Sequence, residues 1–177
     1  MRARSIIRSS ILMTFVALPL MAAVPVPFSL VSPAFTDGGP IPVRFTCDGV
    51  NLSPPLAWAA IPPGTQSLAL VVDDPDAPAG DYLHWALYNL SPAIAGIAEA
   101  YPSDGPGQGQ NSFGKVGYGG PCPPLGSAAH NYRFRLVALN SARIDPPAAT
   151  QPHQIMKYLQ PYLLDTATLI GLYRRQP

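Results

Sequence analysis

The chain has 177 residues, of which 47% are hydrophobic and 12% charged, with a formal net charge of +1. That length and balance fit one domain with a sizeable core and argue against disorder. The 23 prolines and 15 glycines, spread without a period, exclude collagen-like order and disfavour a helical bundle.

Arg2, Arg4 and Arg8 make a basic start, and Ile11 to Ala23 is an apolar run too short to span a bilayer comfortably. Residues 1–23 therefore read as a secretory signal peptide, with an uncleaved anchor as the alternative. Losing three arginines leaves 8 basic against 10 acidic residues, a net of −2. Such a chain is a poor binder of nucleic acid and is not polybasic enough for a membrane surface. No later apolar run is long enough to cross a bilayer, so residues 24–177 are expected as one soluble, periplasmic or secreted domain. Cys47 and Cys122 form an even pair behind an export signal, which allows a disulfide; two free buried thiols are the alternative. Two cysteines this far apart give no metal site.

Val24 to Val31 reads as extended. Thr36 to Pro40 is a turn, and Ile41 to Thr46 alternates, which predicts a strand with Ile41, Val43 and Phe45 on one face. Asn51 to Leu56 is an irregular loop, and its Asn-Leu-Ser sequon reads as structural. A short strand around Ala57 to Ala59 carries Trp58. Leu68 to Val72 is an apolar run of buried-strand length. Asp73-Asp74-Pro75-Asp76-Ala77-Pro78 cannot continue it, because the prolines lack donors and restrict the residues before them. Leu83 to Leu90 resumes as a strand carrying His84. Ser91 to Gly109 is loop-like, and Asn111 to Gly126 is a second loop rich in glycine and proline. Tyr132 to Leu139 alternates as a half-buried strand. Thr150 is a plausible N-cap with Pro152 in the first turn, Ile155, Met156 and Leu159 share a helical face, and Pro161 ends or kinks the helix. Thr168 to Tyr173 closes the chain as a strand. Eight or nine short strands and one helix predict a β-sandwich, or a curled antiparallel sheet, with a C-terminal helix packed on it.

Three polar stretches lie between the apolar runs: the acid loop from Asp73 to Asp81 with His84, the run Gly114 to Pro124, and His130-Asn131-Tyr132. Gly117, Gly119 and Gly120 are expected to leave backbone amides uncovered for an anion, with the Tyr118 hydroxyl as a further donor. His130 and Tyr132, two apart in a strand, share a face. His153 reads as a surface residue. Imidazoles, hydroxyls and amides suit a phosphate or carboxylate, and Asp74 suits an ammonium group. A zwitterionic head group would use both.

Asp74-Pro75-Asp76-Ala77-Pro78 with His84-Trp85, Gly117 to Pro124, and His130 to Phe134 together resemble the phosphatidylethanolamine-binding protein family, most of all its bacterial Raf-kinase-inhibitor-like branch. Phe45 to Gly49, Asn51 to Leu56, Trp58 and Gly171 to Arg174 add to the likeness, which runs from about Phe28 to Arg174. The resemblance implies a mainly β fold, an antiparallel sandwich with C-terminal helical structure beside a small anion pocket. It places the ligand-binding positions at Asp74, His84, Tyr118, Gly120, Pro121, Pro123, His130 and Tyr132; Asp76 and Asp81 read as shaping the acid loop. It implies no cofactor, no metal and no catalytic residue. It pairs Cys47 with Cys122, as in exported relatives.

Four positions depart from the family pattern: Asn131 where an arginine is common, Tyr82 and Leu83 before His84, and Pro161 in the helical region, which predicts a shorter or kinked helix. The function expected is binding of a small anion or phosphorylated head group, such as phosphate or phosphoethanolamine, with possible regulation of a protein partner. The alternatives are a kinase or protease inhibitor working through the loop from Tyr101 to Gly109, and a hydrolase using Ser127, which lacks a nucleophile-elbow sequence.

Overall fold

The computed structural model describes residues 26–78, 80–105, 107–147 and 150–176. The segment read as a signal peptide lies outside them. Among the described residues eight strands run in chain order: β1 (Ser29–Val31), β2 (Gly39–Pro40), β3 (Leu56–Ala59), β4 (Ser67–Asp74), β5 (Tyr82–Leu90), β6 (Gly96–Ile97), β7 (His130–Leu139) and β8 (Leu163–Tyr173). One short helix, α1 (Ile155–Leu159), precedes the last strand. The central sheet has the order β2-β8-β7-β4-β5, and β1-β3-β6 form a smaller sheet. All pairings are antiparallel except the two-residue contact of β2 with β8. This is the antiparallel sandwich with a C-terminal helix that the sequence leads one to expect.

Alternation assigns the faces. Leu70 and Val72 of β4, with Tyr132, Phe134 and Leu136 of β7, pack toward Leu30 and Trp58 of the small sheet. Ala69 and Val71, with Val137 and Leu139, pack toward Ile155 and Leu159 of α1. Every residue of β4 is therefore buried, which explains its unbroken apolar run.

Several local expectations are corrected. Ile41 to Thr46 is not a strand; Val43–Phe45 is a 3₁₀ turn. Pro42 has no N–H for a sheet ladder, and its carbonyl instead accepts the Phe45 N–H at 3.0 Å. Ile41 and Phe45 are buried, while Val43 is 54% exposed. Thr150 caps no helix. Its N–H donates to Pro147 O at 2.8 Å, and helical structure begins after Gln151 with no side-chain cap. Pro161 ends α1 as expected, and the chain leaves it through a 3₁₀ turn, Gln160–Tyr162. The first strand is shorter than expected, the last strand is longer, and the loop after β5 contains β6.

Candidate functional site

Strand β5 carries a bulge where the site forms. Val72 pairs with Trp85 but Asp73 pairs with Leu83, so His84 is the extra residue between them. A bulge lets two consecutive side chains leave the alternation. Leu83 faces the helix-side core, whereas His84 and Trp85 both turn to the side of Tyr132. His84 meets Tyr132 edge to face, with ring centroids 5.1 Å apart.

Three adjacent strands then bring four residues together. Asp74 ends β4, His84 sits in the bulge of β5, and His130 and Tyr132 open β7. His130 Nδ1 lies 2.7 Å from Asp74 Oδ2, and both side chains are buried. The other oxygen, Asp74 Oδ1, accepts the Asp76 N–H at 2.9 Å, so the acid loop wraps its own carboxylate. His84 Nδ1 donates to Gly119 O at 2.7 Å, and the Gly119 N–H returns a bond to His84 O at 2.9 Å. Burial pushes the His84 pKa below its ordinary value, against the pull of the Gly119 carbonyl and the Asp74 charge. The Tyr132 hydroxyl is wholly buried near the Asp74 carboxylate and the Cys122 backbone N–H, with no well-formed bond to either. Burial raises its pKa, and the nearby Asp74 carboxylate adds to the rise.

The glycine–proline loop contributes shape more than donors. Gly120 N–H donates to Asn51 Oδ1 at 2.8 Å, Gly119 N–H to His84 O, and Gly117 N–H to Gly109 O at 3.4 Å. The amides expected to be uncovered are engaged, Gly120 by the 45–51 segment, Gly119 by β5 and Gly117 by Gly109. Tyr118 is likewise not a free donor: its hydroxyl bonds Phe45 O at 2.7 Å, and burial raises its pKa. A Cβ on Gly120 would collide with Phe45 O and Asn51 Oδ1, so only glycine permits this approach. The Cys47–Cys122 disulfide closes the same junction across 75 residues, and Cys47 N–H donates to Pro121 O at 3.1 Å. Pro121 and Pro123, both buried, flank Cys122 and add no polar group.

Phe113 was not foreseen. It packs on Tyr82 at 5.0 Å and on His84 at 5.3 Å, at the tip of a turn held by Asn111, whose Oδ1 accepts the Phe113 and Lys115 N–H groups. A cavity of about 220 Å³ lies beside it, lined by Asn51, Phe113, Lys115, Tyr118, Gly119 and Gly120. A larger cavity of about 660 Å³ lies on the far side of β5, around Tyr88 and the exposed Arg143–Asp145 pair, away from the buried histidines. Nothing in the sequence near Phe113 signals its place. The bulge has a faint signal in the unbroken run Leu83 to Leu87.

The remaining expectations fall as follows. Asn131 gives two bonds to Asp76 Oδ2, from its backbone and side chain, each 2.8 Å. It thus ties β7 to the acid loop without an arginine. Asp81 pairs with Arg133 at 2.8 Å. The Ser127 hydroxyl donates to Ala128 O at 3.0 Å. In the loop from Tyr101 to Gly109, Gln108 bonds the Trp85 indole at 3.0 Å and Gly107 O accepts the Tyr88 N–H at 2.6 Å, so its end is anchored on β5. Among the described residues, no group of three or more His, Cys, Asp or Glu is placed to hold a metal, and no helix is long and apolar enough to cross a membrane.

A two-layered sheet with a polar cluster at the strand ends defines a ligand-binding class rather than a particular chemistry. The family profile for phosphatidylethanolamine-binding protein matches residues 31–174, and the chain belongs to that family. The UPF0098 protein of Methanothermobacter thermautotrophicus is 46% identical over 147 residues, 80% of this chain and 95% of that one. The putative lipoprotein LppC of Mycobacterium tuberculosis is 48% identical over 124 residues, covering 70% of this chain and 61% of that one. Among solved structures, Escherichia coli YbcL, described as a new member of the mammalian PEBP family, gives a TM-score of 0.78 at 30% identity over 84% of this chain and 98% of its own. The Chlamydia trachomatis protein CT736, a putative PEBP homolog, gives 0.74 at 38% identity over 84% and 97%.

Proposed function

We propose that the protein binds a small anion, a phosphate or a phosphorylated head group, at Asp74, His84, His130 and Tyr132. One observation carries this reading: two buried histidines, one on Asp74 and one on Gly119 O, converge with the buried Tyr132 hydroxyl, which lies near Asp74 and the Cys122 backbone N–H but makes no well-formed bond to either. Buried polar groups almost always find partners, and a ligand oxygen would complete this one. Family membership supports ligand binding in general. Gly120 and the Cys47–Cys122 bridge hold the wall of the site, and Tyr118 and Pro121 shape it. Export of the protein fits the disulfide and the similarity to a mycobacterial protein named a putative lipoprotein.

Calorimetry with inorganic phosphate and phosphoethanolamine tests the reading. His130→Ala is expected to weaken binding tenfold or more. Unchanged affinity in both His130→Ala and His84→Ala would sink it. Regulation of a partner protein remains a second reading. Its candidate surface is the loop from Tyr101 to Gly109, whose anchoring on β5 gives it a defined shape. Fluorophosphonate labelling of Ser127 would instead favour a hydrolase.

A further inference from the structure

Strand β5 lies at the edge of the central sheet, and a short strap of loop, Gly107-Gln108-Gly109, covers its outer side. The Tyr88 N–H donates to Gly107 O at 2.6 Å, and the Gly109 N–H donates to Ala86 O at 3.0 Å. At the end of the same strand Asn89 clasps Ile144 twice. Its Nδ2 donates to Ile144 O at 3.0 Å, and its Oδ1 accepts the Ile144 N–H at 2.7 Å. The strap and the segment around Ile144 form two walls of the cavity of about 660 Å³. That is the size of a site for a small organic molecule.

The strap is built from glycine because of what lies beneath it. A Cβ on Gly107 would stand 2.1 Å from Tyr88 O, and one on Gly109 would stand 2.6 Å from the Tyr88 hydroxyl. A side chain at 109 would therefore cap that hydroxyl, and glycine leaves it open. Tyr88 is 8% exposed and lines the cavity. Its hydroxyl makes no hydrogen bond among the described residues, and it is not sealed from the cavity. Burial raises its pKa, so it keeps its proton to donate.

The rest of the lining says what would meet that donor. Leu83, Leu90, Ile144 and Ile155, all buried, make one side apolar. Among the described lining residues only Arg143 and Asp145 are charged, and they pair with each other at 2.6 Å at the exposed rim. An ionised ligand would give up its water and meet no unmatched charge inside.

We propose that this cavity is a second ligand site, for a small, uncharged, largely apolar molecule whose carbonyl oxygen accepts a hydrogen bond from Tyr88. It is separate from the cluster at Asp74. His84 and Trp85 turn to the Tyr132 side of the sheet, whereas Leu83 and Tyr88 belong to the core under α1. The proposal does not depend on what that cluster binds.

Ligand-observed NMR titrations of the purified chain with methyl naphthyl ketone and ethylnaphthalene test it. The two probes are close in size and differ in one carbonyl oxygen. Both should bind the unaltered chain. Tyr88→Phe removes one oxygen and keeps the ring, and its melting temperature checks that the fold is intact. It should weaken the ketone about tenfold and change ethylnaphthalene by less than about twofold. Gly109→Ala, which crowds the hydroxyl while keeping Tyr88, should also weaken the ketone more than the hydrocarbon. Failure of both probes to bind would overturn the proposal. So would a Tyr88→Phe variant that binds the ketone as tightly as the unaltered chain, or that loses both probes equally. Binding or non-binding of inorganic phosphate bears only on the anion reading.

Discussion

Asp73 and Asp74 are neighbours at the end of β4, and they are 2% and 3% exposed. Strand alternation sends them to opposite faces of the central sheet. On the helix side, Asp73 accepts from Arg133 Nε at 3.0 Å, from Arg133 Nη2, and from Arg135 Nη2 at 2.7 Å. Arg133 in turn reaches Asp81. Every charge there is matched by an opposite charge that never titrates near neutral pH. On the other side Asp74 has one histidine and one backbone N–H. Identical residues, equally buried, thus have different work. Two arginines make the Asp73 side a structural clamp, while the Asp74 side, where the ligand is proposed to sit, has a single imidazole beside the carboxylate.

The largest expected effect breaks the clamp. Asp73→Ala leaves two arginine head groups without their shared acceptor. Breaking a buried pair costs about 3–5 kcal/mol, and the partial exposure of both arginines favours the lower end. At about 3 kcal/mol, the melting temperature should fall by about 10 °C. A fall of only one or two degrees in thermal denaturation would show that the clamp is not structural.

Asp74→Asn should invert that balance. An amide oxygen can still accept from His130 Nδ1, but the amide NH2 then faces the Asp76 N–H, so stability should fall by about 1–2 kcal/mol, less than for Asp73→Ala. The charge that holds the imidazole is lost, and phosphate affinity should drop about tenfold in calorimetry. A loss of stability equal to that of Asp73→Ala, with binding intact, would erase the difference between the two faces.

The residues of both faces were legible in the sequence to unequal degree. The apolar run of β4, the alternation of β7 and the order of the three polar stretches led to the sandwich and to Asp74, His84, His130 and Tyr132. Local patterns carry that much because side chains repeat every two residues along a strand. What was not legible depends on contacts between distant segments. The glycine amides looked free because nothing local shows that Asn51 and His84 backbone groups take them. Tyr118 looked like a donor for the same reason. Asp73 went unassigned, although Arg133 and Arg135, alternating against Tyr132 and Phe134, already lay on its face. The 3₁₀ turn at Val43–Phe45 looks like a strand in sequence because buried Ile41 and Phe45, four apart, fit a period of two as well as a turn.

The smallest effect concerns the tether between β7 and the acid loop. Asn131 holds the Asp76 carboxyl below its ordinary pKa, chiefly through its side-chain amide and then its backbone N–H. A carboxyl depressed in the folded state stabilises the fold above its unfolded value, near 3.8, and loses that contribution as pH falls through its folded value. Asn131→Ala removes the side-chain bond and keeps the backbone one. Because Asp76 is exposed, the loss at neutral pH should be under about 1 kcal/mol. The gap between variant and unaltered chain should narrow only below about pH 4, where both carboxyls protonate. Denaturant midpoints at pH 7 and pH 3 measure it. Since the Asp76 N–H also bonds Asp74 Oδ1, the variant should weaken phosphate binding slightly more than it weakens the fold. A gap that stays constant down to pH 3 would assign the effect to packing of Asn131 rather than to the Asp76 charge, and would separate the tether from the ligand side of the sheet.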